Sequence, residues 1–323
     1  MTTVELTHIS KTFGPVKAVD DLTLSVEKGE FFGLLGPNGA GKTTCIRILL
    51  DIFKPDSGTV SIMGGPMTEE KKNRIGYMPE ERGLYQDLPL ERVLIYLASL
   101  KGLSKAETIS RMGYYLERFD LAQYKKKKVK ELSKGMQQKA QIISTIIHQP
   151  ELLIIDEPFS GLDPINTQMV KDLLHDLHRQ GTTIIMSTHQ MYQVEQLCER
   201  ILLINHGKAV LYGNLNDIRR QFSGNALLVR SPEPLPPLPG ILSAEPVNGG
   251  QRLNLAPETS PQEILRELVR QDVHVDQFEV AMPTLDEIFI RVVRDQERVA
   301  DAGSRPSDGA AAAAETRSMQ SPS

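Results

Sequence analysis

Cysteine is scarce in this chain: its 323 residues include two, Cys45 and Cys198. So few thiols exclude a disulfide framework and a cysteine-based metal cluster, and both are expected to be buried in a reducing compartment. Long apolar runs are missing too, since stretches such as Leu152 to Ile155 and Ile201 to Ile204 fall far short of the ~20 residues a membrane span needs. The opening Met1-Thr2-Thr3-Val4-Glu5 has neither a basic nor an apolar leader segment, so no secretory signal is expected, and any membrane role should come through a partner. Nor is there a net basic surplus, the formal charge being −4. Basic residues are nevertheless concentrated between Lys101 and Lys139, most densely at Lys125-Lys126-Lys127-Lys128, followed by Lys130, Lys134 and Lys139. No aromatic residue beyond Tyr124 interleaves with that run, which argues against a nucleic-acid surface. A solvated face is the expected role, with attraction to a triphosphate or to anionic lipid heads as the alternative.

What is present reads as an α/β protein with room for two cores. Residues 1 to 30 alternate in short segments around turns at Phe13-Gly14-Pro15 and Lys28-Gly29, the pattern of half-buried antiparallel strands. Phe31 to Leu35 and Leu152 to Ile155 are apolar runs, the latter leading into Asp156, that fit strands buried on both faces of a parallel sheet, and Thr182 to His189 is expected to be a further strand of that kind. Between Leu90 and Lys139 the period turns helical, with Val93, Leu94, Leu97 and Leu100 on one face and Met112, Tyr115, Leu116 and Phe119 on another. From Leu227 a second, smaller α/β unit begins, in which Ser260-Pro261-Gln262-Glu263 forms a capping box and Leu285, Ile288, Phe289, Val292 and Val293 mark a last amphipathic helix. A unit of that size is expected to pack on something larger. The expected division is 1–222, with a helical insertion at about 88–145, then 225–294, then a disordered tail at 295–323 whose Ala, Ser, Gly and Pro cannot bury a core.

The chemistry starts at Gly36-Pro37-Asn38-Gly39-Ala40-Gly41-Lys42-Thr43-Thr44. A glycine-rich loop between strand and helix turns its amides toward phosphate oxygens, Lys42 reaches the outer phosphates, and the Thr43 hydroxyl suits Mg²⁺. A nucleoside triphosphate is therefore the expected ligand. Asp156, at the end of a buried strand, is costly unless a cation meets it, and Glu157 beside it can polarise water for attack on a γ-phosphate. His189 ends another buried strand, where an imidazole can hold that phosphate or the water, although a structural role is as natural for a lone histidine. His148, His175, His178 and His206 follow no ligand spacing and are expected at the surface. Phe13 is either core or a base-stacking aromatic. Ser133 and Gly135 open a helix and resemble a second anion site that lacks a strand-borne loop of its own.

These motifs, in this order, resemble the nucleotide-binding subunit of ATP-binding cassette (ABC) transporters over about residues 2 to 220. Gly36 to Thr44 matches Walker A, Leu152 to Glu157 matches Walker B, Ser160-Gly161-Leu162-Asp163 the D-loop, and Ser187-Thr188-His189 the switch histidine. Leu132 to Gln138 stands where the family signature does, reading Lys134 for its first glycine and Met136 for its glutamine. Glu80 replaces the Q-loop glutamine. The resemblance implies a P-loop ATPase with a RecA-like parallel sheet, an N-terminal antiparallel β subdomain, a helical subdomain and a small C-terminal domain. It implies ATP and Mg²⁺ as ligands, with Thr43, Glu80 and Asp156 near the metal, Glu157, His189 and Lys42 in catalysis, Asp163 in the D-loop and Phe13 against the adenine. It also implies head-to-tail pairing with a second copy or another ABC ATPase, so that Ser133, Lys134, Gly135 and Met136 close over the partner's ATP. A separate transmembrane permease would hold the pair at the cytoplasmic face of the membrane, and no nucleic acid is expected. The departures at Glu80 and in the signature, with a C-terminal domain ending Pro283-Thr284-Leu285-Asp286-Glu287-Ile288-Phe289, resemble the exporter (ABC-2) branch of sodium-extrusion and drug-export ATPases. The alternative is a soluble ABC ATPase acting on nucleic acid or ribosomes. Such relatives carry two cassettes, a long coiled coil or zinc cysteines, and this chain has none of these.

Overall fold

The computed structural model describes residues 1–303 apart from Arg82, Gly224 and Asn248, with the backbone alone for 295–303. The strands are β1 (Thr2–Phe13), β2 (Val16–Glu27), β3 (Phe31–Leu35), β4 (Ser57–Ile62), β5 (Ile75–Met78), β6 (Leu152–Asp156), β7 (Thr183–Thr188), β8 (Arg200–Asn205), β9 (Lys208–Asn214), β10 (Ala226–Arg230), β11 (Ile241–Val247), β12 (Gly250–Leu255) and β13 (Gln277–Val280). The helices are α1 (Lys42–Leu49), α2 (Glu69–Asn73), α3 (Leu90–Ser99), α4 (Lys105–Arg118), α5 (Lys134–Ile146), α6 (Pro164–Arg179), α7 (Met191–Leu197), α8 (Leu215–Phe222), α9 (Pro261–Arg270) and α10 (Leu285–Gly303).

Three strands, the largely apolar β3 and β6 and the half-polar β7, are buried along their full length and form the middle of a six-stranded sheet ordered β5-β6-β7-β3-β8-β9. All its pairs are parallel except β8 with β9. Register sets Leu35 opposite Thr188 and Asp156 opposite Ser187, so β3, β6 and β7 end together at one edge. In an open parallel sheet that carboxyl-end edge is where ligands bind. One face of the sheet packs with α1 against the antiparallel sheet β2-β1-β4, through Leu6, Ile9, Phe32, Leu34, Ile46 and Ile154. The other face meets α3 to α7 around Phe31, Leu94, Leu116, Ile143 and Val170.

The insertion α3–α5 is helical because its apolar residues recur at helical spacing, and Ser104 with Glu107 forms a reciprocal cap at the start of α4. Val93, Leu94, Met112, Tyr115, Leu116 and Phe119 are all buried as the period predicts. Leu100 is not: α3 ends at Ser99, so Leu100 falls on the cap, beyond the reach of the helical period, and is 58% exposed. Lys125 to Lys128 are exposed, as expected of a solvated run. Two of the basic residues around them are not solvated. Lys101 reaches in to donate to the carbonyls of Lys72 (2.6 Å) and Ile75 (2.9 Å), and Lys139 is buried with its ammonium on Asn166.

His148 and His178 also depart from the expected surface position. His148 Nε2 lies 3.2 Å from the Ile75 carbonyl and His178 Nε2 2.8 Å from that of Gly29, because an imidazole can satisfy a half-buried carbonyl at a strand end. Burial, with Lys101 nearby, pushes His148 down to about 4.

In the C-terminal part, the antiparallel sheet β11-β12-β10-β13 and α9 enclose Leu227, Val229, Leu253, Leu255, Ile264 and Leu268. Ser260 caps α9 through the expected box with Glu263. Leu285 and Ile288 of α10 leave that unit and join the core around Met191, Val194 and Leu197. The Glu195 carboxylate of α7 accepts the Leu285 amide at 2.6 Å, and Arg219 of α8 donates to the Pro283 carbonyl at 3.0 Å. The tail was expected to begin at 295, but α10 continues to Gly303. Asp295 to Ala302 lack Pro and Gly, so a helix nucleated by the packed turns before them propagates. Residues 304–323 of the expected tail lie outside the described residues. Among the described residues no helix is long and apolar enough to cross a membrane.

Candidate active site

Backbone conformation alone explains the loop after β3. Gly36 (φ +150°) and Gly41 (φ +111°) have no room for a Cβ, which would lie 2.2 Å from the Ile204 carbonyl oxygen and 2.3 Å from that of Ala18. The loop therefore folds tightly between β8 and β2 and turns into α1 at Lys42. It lines a cleft of about 420 Å³ together with Val16, Lys17, Ala18, Glu80, Asp156, Glu157, His206 and Gly207. The Lys42 ammonium donates to the carbonyls of Gly36 (2.7 Å) and Pro37 (3.1 Å). Burial lowers its pKa, opposed by the negative charge of Glu157, Asp156 and Glu80. A buried ammonium resting on two neutral carbonyls has the makings of an anion site.

The acids stand across from it. Asp156 ends β6 at 1% exposure, and the Thr43 hydroxyl donates to its Oδ2 at 3.2 Å. Burial raises the Asp156 pKa, and the charges of Glu157 and Glu80 raise it further, while the Thr43 hydroxyl pulls it back. Glu157 is held in the left-handed region at φ +50°, a conformation that a non-glycine residue adopts at a cost and that recurs at functional sites. Its carboxylate is fixed from the end of β7. Thr188 Oγ1 donates to Oε2 at 2.9 Å, the His189 amide donates to Oε1 at 2.9 Å, and His189 Nδ1 lies 2.6 Å from Oε1. The Glu157 side chain is 6% exposed and that of His189 is 50% exposed, so the carboxylate is sequestered while the ring faces outward.

Phe13, Ser133 to Met136 and Asp163 are not among the residues that line this cleft. Phe13 is half exposed, edge-on to Phe53 at 5.4 Å between ring centroids, and paired across the hairpin with Val16, which does line the cleft. Ser133 caps α5 by accepting the Met136 amide at 3.2 Å, and Gly135 sits near Gly161 and Leu162. Asp163 caps α6 by accepting the Asn166 amide at 2.9 Å, which keeps its carboxyl below the usual range. The loop, both acids and Glu80 thus meet in one place, with His189 joined to them through Glu157. The wall formed by Val16 to Ala18 and by His206 and Gly207 escaped the sequence reading. The turn at His206-Gly207 was visible as a break between two apolar runs, but what it faces depends on sheet order.

Comparison with known proteins agrees with this geometry. A family described as ABC transporter matches residues 19–160, and the C-terminal domain of DrrA1-3-like ATP-binding proteins matches residues 213–293. Over 289 residues the chain is 44% identical to YhaQ, an uncharacterized ABC transporter ATP-binding protein of Bacillus subtilis (strain 168), covering 88% of this chain and 97% of that protein. The chain belongs to the ABC transporter ATP-binding family. The chain is also 33% identical over 316 residues to the daunorubicin resistance ATP-binding protein DrrA3 of Streptomyces coeruleorubidus, covering 93% and 99% of the two chains. A solved ATP-binding subunit of an ABC transporter superposes with a TM-score of 0.64 at 35% identity, over 68% of this chain and 93% of that one. The cassette is thus an ATPase, the nucleotide-binding subunit of a transporter complex, and the reading as a soluble factor for nucleic acid or ribosomes is set aside.

Proposed function

We propose that this cassette is the motor of an exporter, hydrolysing ATP in the cleft above the phosphate loop to drive a separate membrane permease at the cytoplasmic face. The observation that carries it is the Glu157 carboxylate, sequestered and held by Thr188 and His189 at the sheet edge where Lys42 and Asp156 also lie. In this reading the amides of Gly36 to Thr44 cradle the phosphates and Lys42 leaves its carbonyls for them. Glu157 takes the proton of the water whose oxygen attacks the γ-phosphorus as the bond to the ADP oxygen breaks. His189 keeps Glu157 aimed, and Phe13 covers the base at the cleft mouth.

Mg²⁺ fits the donors present. Thr43, Asp156 and Glu80 offer hard oxygens, and the burial of Asp156, with the nearby charges of Glu157 and Glu80 adding to it, is a cost that a divalent cation would offset. When bound, it would offset charge on the β- and γ-oxygens.

Ser133, Lys134, Gly135 and Met136 lie away from their own chain's cleft, which favours closure over the ATP of a second cassette, with Asp163 at that seam. Export is favoured by the match to the DrrA1-3-like C-terminal domain and by the name of the daunorubicin resistance relative. The division into 1–222 and 225–294 follows the same reading. Replacing Glu157→Gln should keep ATP binding while cutting turnover roughly 10²- to 10⁴-fold, the usual worth of a general base. Near-normal turnover would remove Glu157 from its role. Purification of the tagged chain from host membranes should recover a polytopic membrane protein in stoichiometric amount, and recovery with ribosomes or DNA alone would overturn the transporter reading.

A further inference from the structure

The cleft wall has two chemically different parts. Glu80, Asp156 and Glu157 make one, and their charge acts on the Lys42 ammonium. Val16, Lys17, Ala18, His206 and Gly207 make the other, with no carboxylate among them, and Ala18 and Gly207 lie against Ala40 and Gly41 of the loop. A nucleotide whose phosphates lie on the loop, its terminal phosphate toward Lys42 and the acids, would send its nucleoside toward the second part. There the Lys17 ammonium is taken up by Asp20, and the exposed His206 imidazole stands on the wall where a sugar or base would lie.

The turn that carries His206 is built into the site. His206 (φ +48°) and Gly207 (φ +76°) join β8 to β9 as a two-residue hairpin turn, both in the left-handed region. The Gly207 amide donates to the Ala40 carbonyl of the phosphate loop at 2.9 Å, and the Asp20 amide donates to the Gly207 carbonyl at 2.9 Å. Asn, Asp or Gly is the commoner residue at the first position of such a turn. The residue is exposed at the cleft wall, and its ring makes no hydrogen bond among the described residues.

We propose that His206 is a nucleoside-contacting residue, its imidazole meeting the ribose or base of the bound nucleotide. This rests on the nucleotide-site reading above. The test compares binding of Mg-ATP and of inorganic tripolyphosphate, by calorimetry, to the full-length protein and to its His206→Gly and His206→Asn variants. Both replacements suit a left-handed turn, so the melting temperature should be kept or raised. His206→Gly should weaken ATP binding roughly 3- to 10-fold, the worth of one hydrogen bond or ring contact, with tripolyphosphate binding unchanged. Equal weakening of both ligands would assign the ring to phosphate and overturn the proposal, as would unchanged ATP affinity. If the unaltered protein binds neither ligand, the nucleotide site itself fails, an outcome distinct from either.

Discussion

His148 shows how one side chain links burial to pH. Its pKa falls from the ordinary 6.5 to about 4 because burial and the Lys101 and Arg111 charges disfavour the imidazolium, against a smaller opposing pull from the Ile75 carbonyl. The unfolded chain therefore takes up a proton first as pH falls. The stability His148 contributes is complete above pH 6.5 and drains away toward pH 4. A His148→Gln variant can still donate to Ile75 but cannot titrate, so its melting temperature should fall less steeply over that interval. Parallel slopes for the two proteins would show that the acid sensitivity originates elsewhere. None of this was legible beforehand. Nothing in the neighbourhood Ile146-Ile147-His148-Gln149-Pro150 announces that its partner is a carbonyl 73 positions away. Lys42, Thr43 and Asp156 were legible because each sits in a local pattern whose backbone geometry and burial are fixed within a few residues.

Among the elements, α10 has a beginning that the sequence half disclosed. Thr284 and Glu287 cap it reciprocally, the Thr284 amide on Glu287 at 3.0 Å and the Glu287 amide on Thr284 at 3.2 Å, and that pattern is local. The third contact, from the Leu285 amide to Glu195, comes from α7, the helix that follows His189. Replacing Glu195→Ala leaves that amide without its acceptor, and losses of helix caps cost about 0.5–2 kcal/mol. Amide exchange at the start of α10 should speed up in Glu195→Ala and recover in Glu195→Gln, which restores an acceptor. Exchange unaltered in the alanine variant would mean that the Thr284 and Glu287 cap suffices alone. The capping box of α9 was read correctly for the same local reason. Leu100 was placed on one helical face with Val93, Leu94 and Leu97 because a periodic pattern does not say where a helix stops.

At the scale of the molecule, the C-terminal unit closes its own small core and also lends Leu285 and Ile288 to the cassette. Each buried aliphatic side chain of that kind is worth about 1.5–3 kcal/mol. A chain truncated after Phe222 should therefore melt at a lower temperature and expose apolar surface on α7 and α8, seen as increased binding of a hydrophobic dye. An unchanged midpoint with no added dye binding would mean that the seam contributes nothing to the cassette. The periodicity of Leu285, Ile288, Phe289 and Val292 called for a partner surface, and the fold supplies α7.

By itself the sequence determined the chemistry that depends on contiguous backbone: the glycine loop and its lysine, the buried strands that carry Asp156 and His189 to their ends, and the capped helices. It determined too which segments alternate and which run unbroken, and hence an antiparallel sheet beside a parallel one. Only the tertiary structure decided that β3 lies between β7 and β8. The β3–β8 neighbourhood sets the His206-Gly207 turn against the phosphate loop, and the pairing of β6 with β7 sets Thr188 and His189 on Glu157. The reason is physical: strand order and register follow from burying two sheet faces at once, a condition on the whole chain that no local stretch encodes.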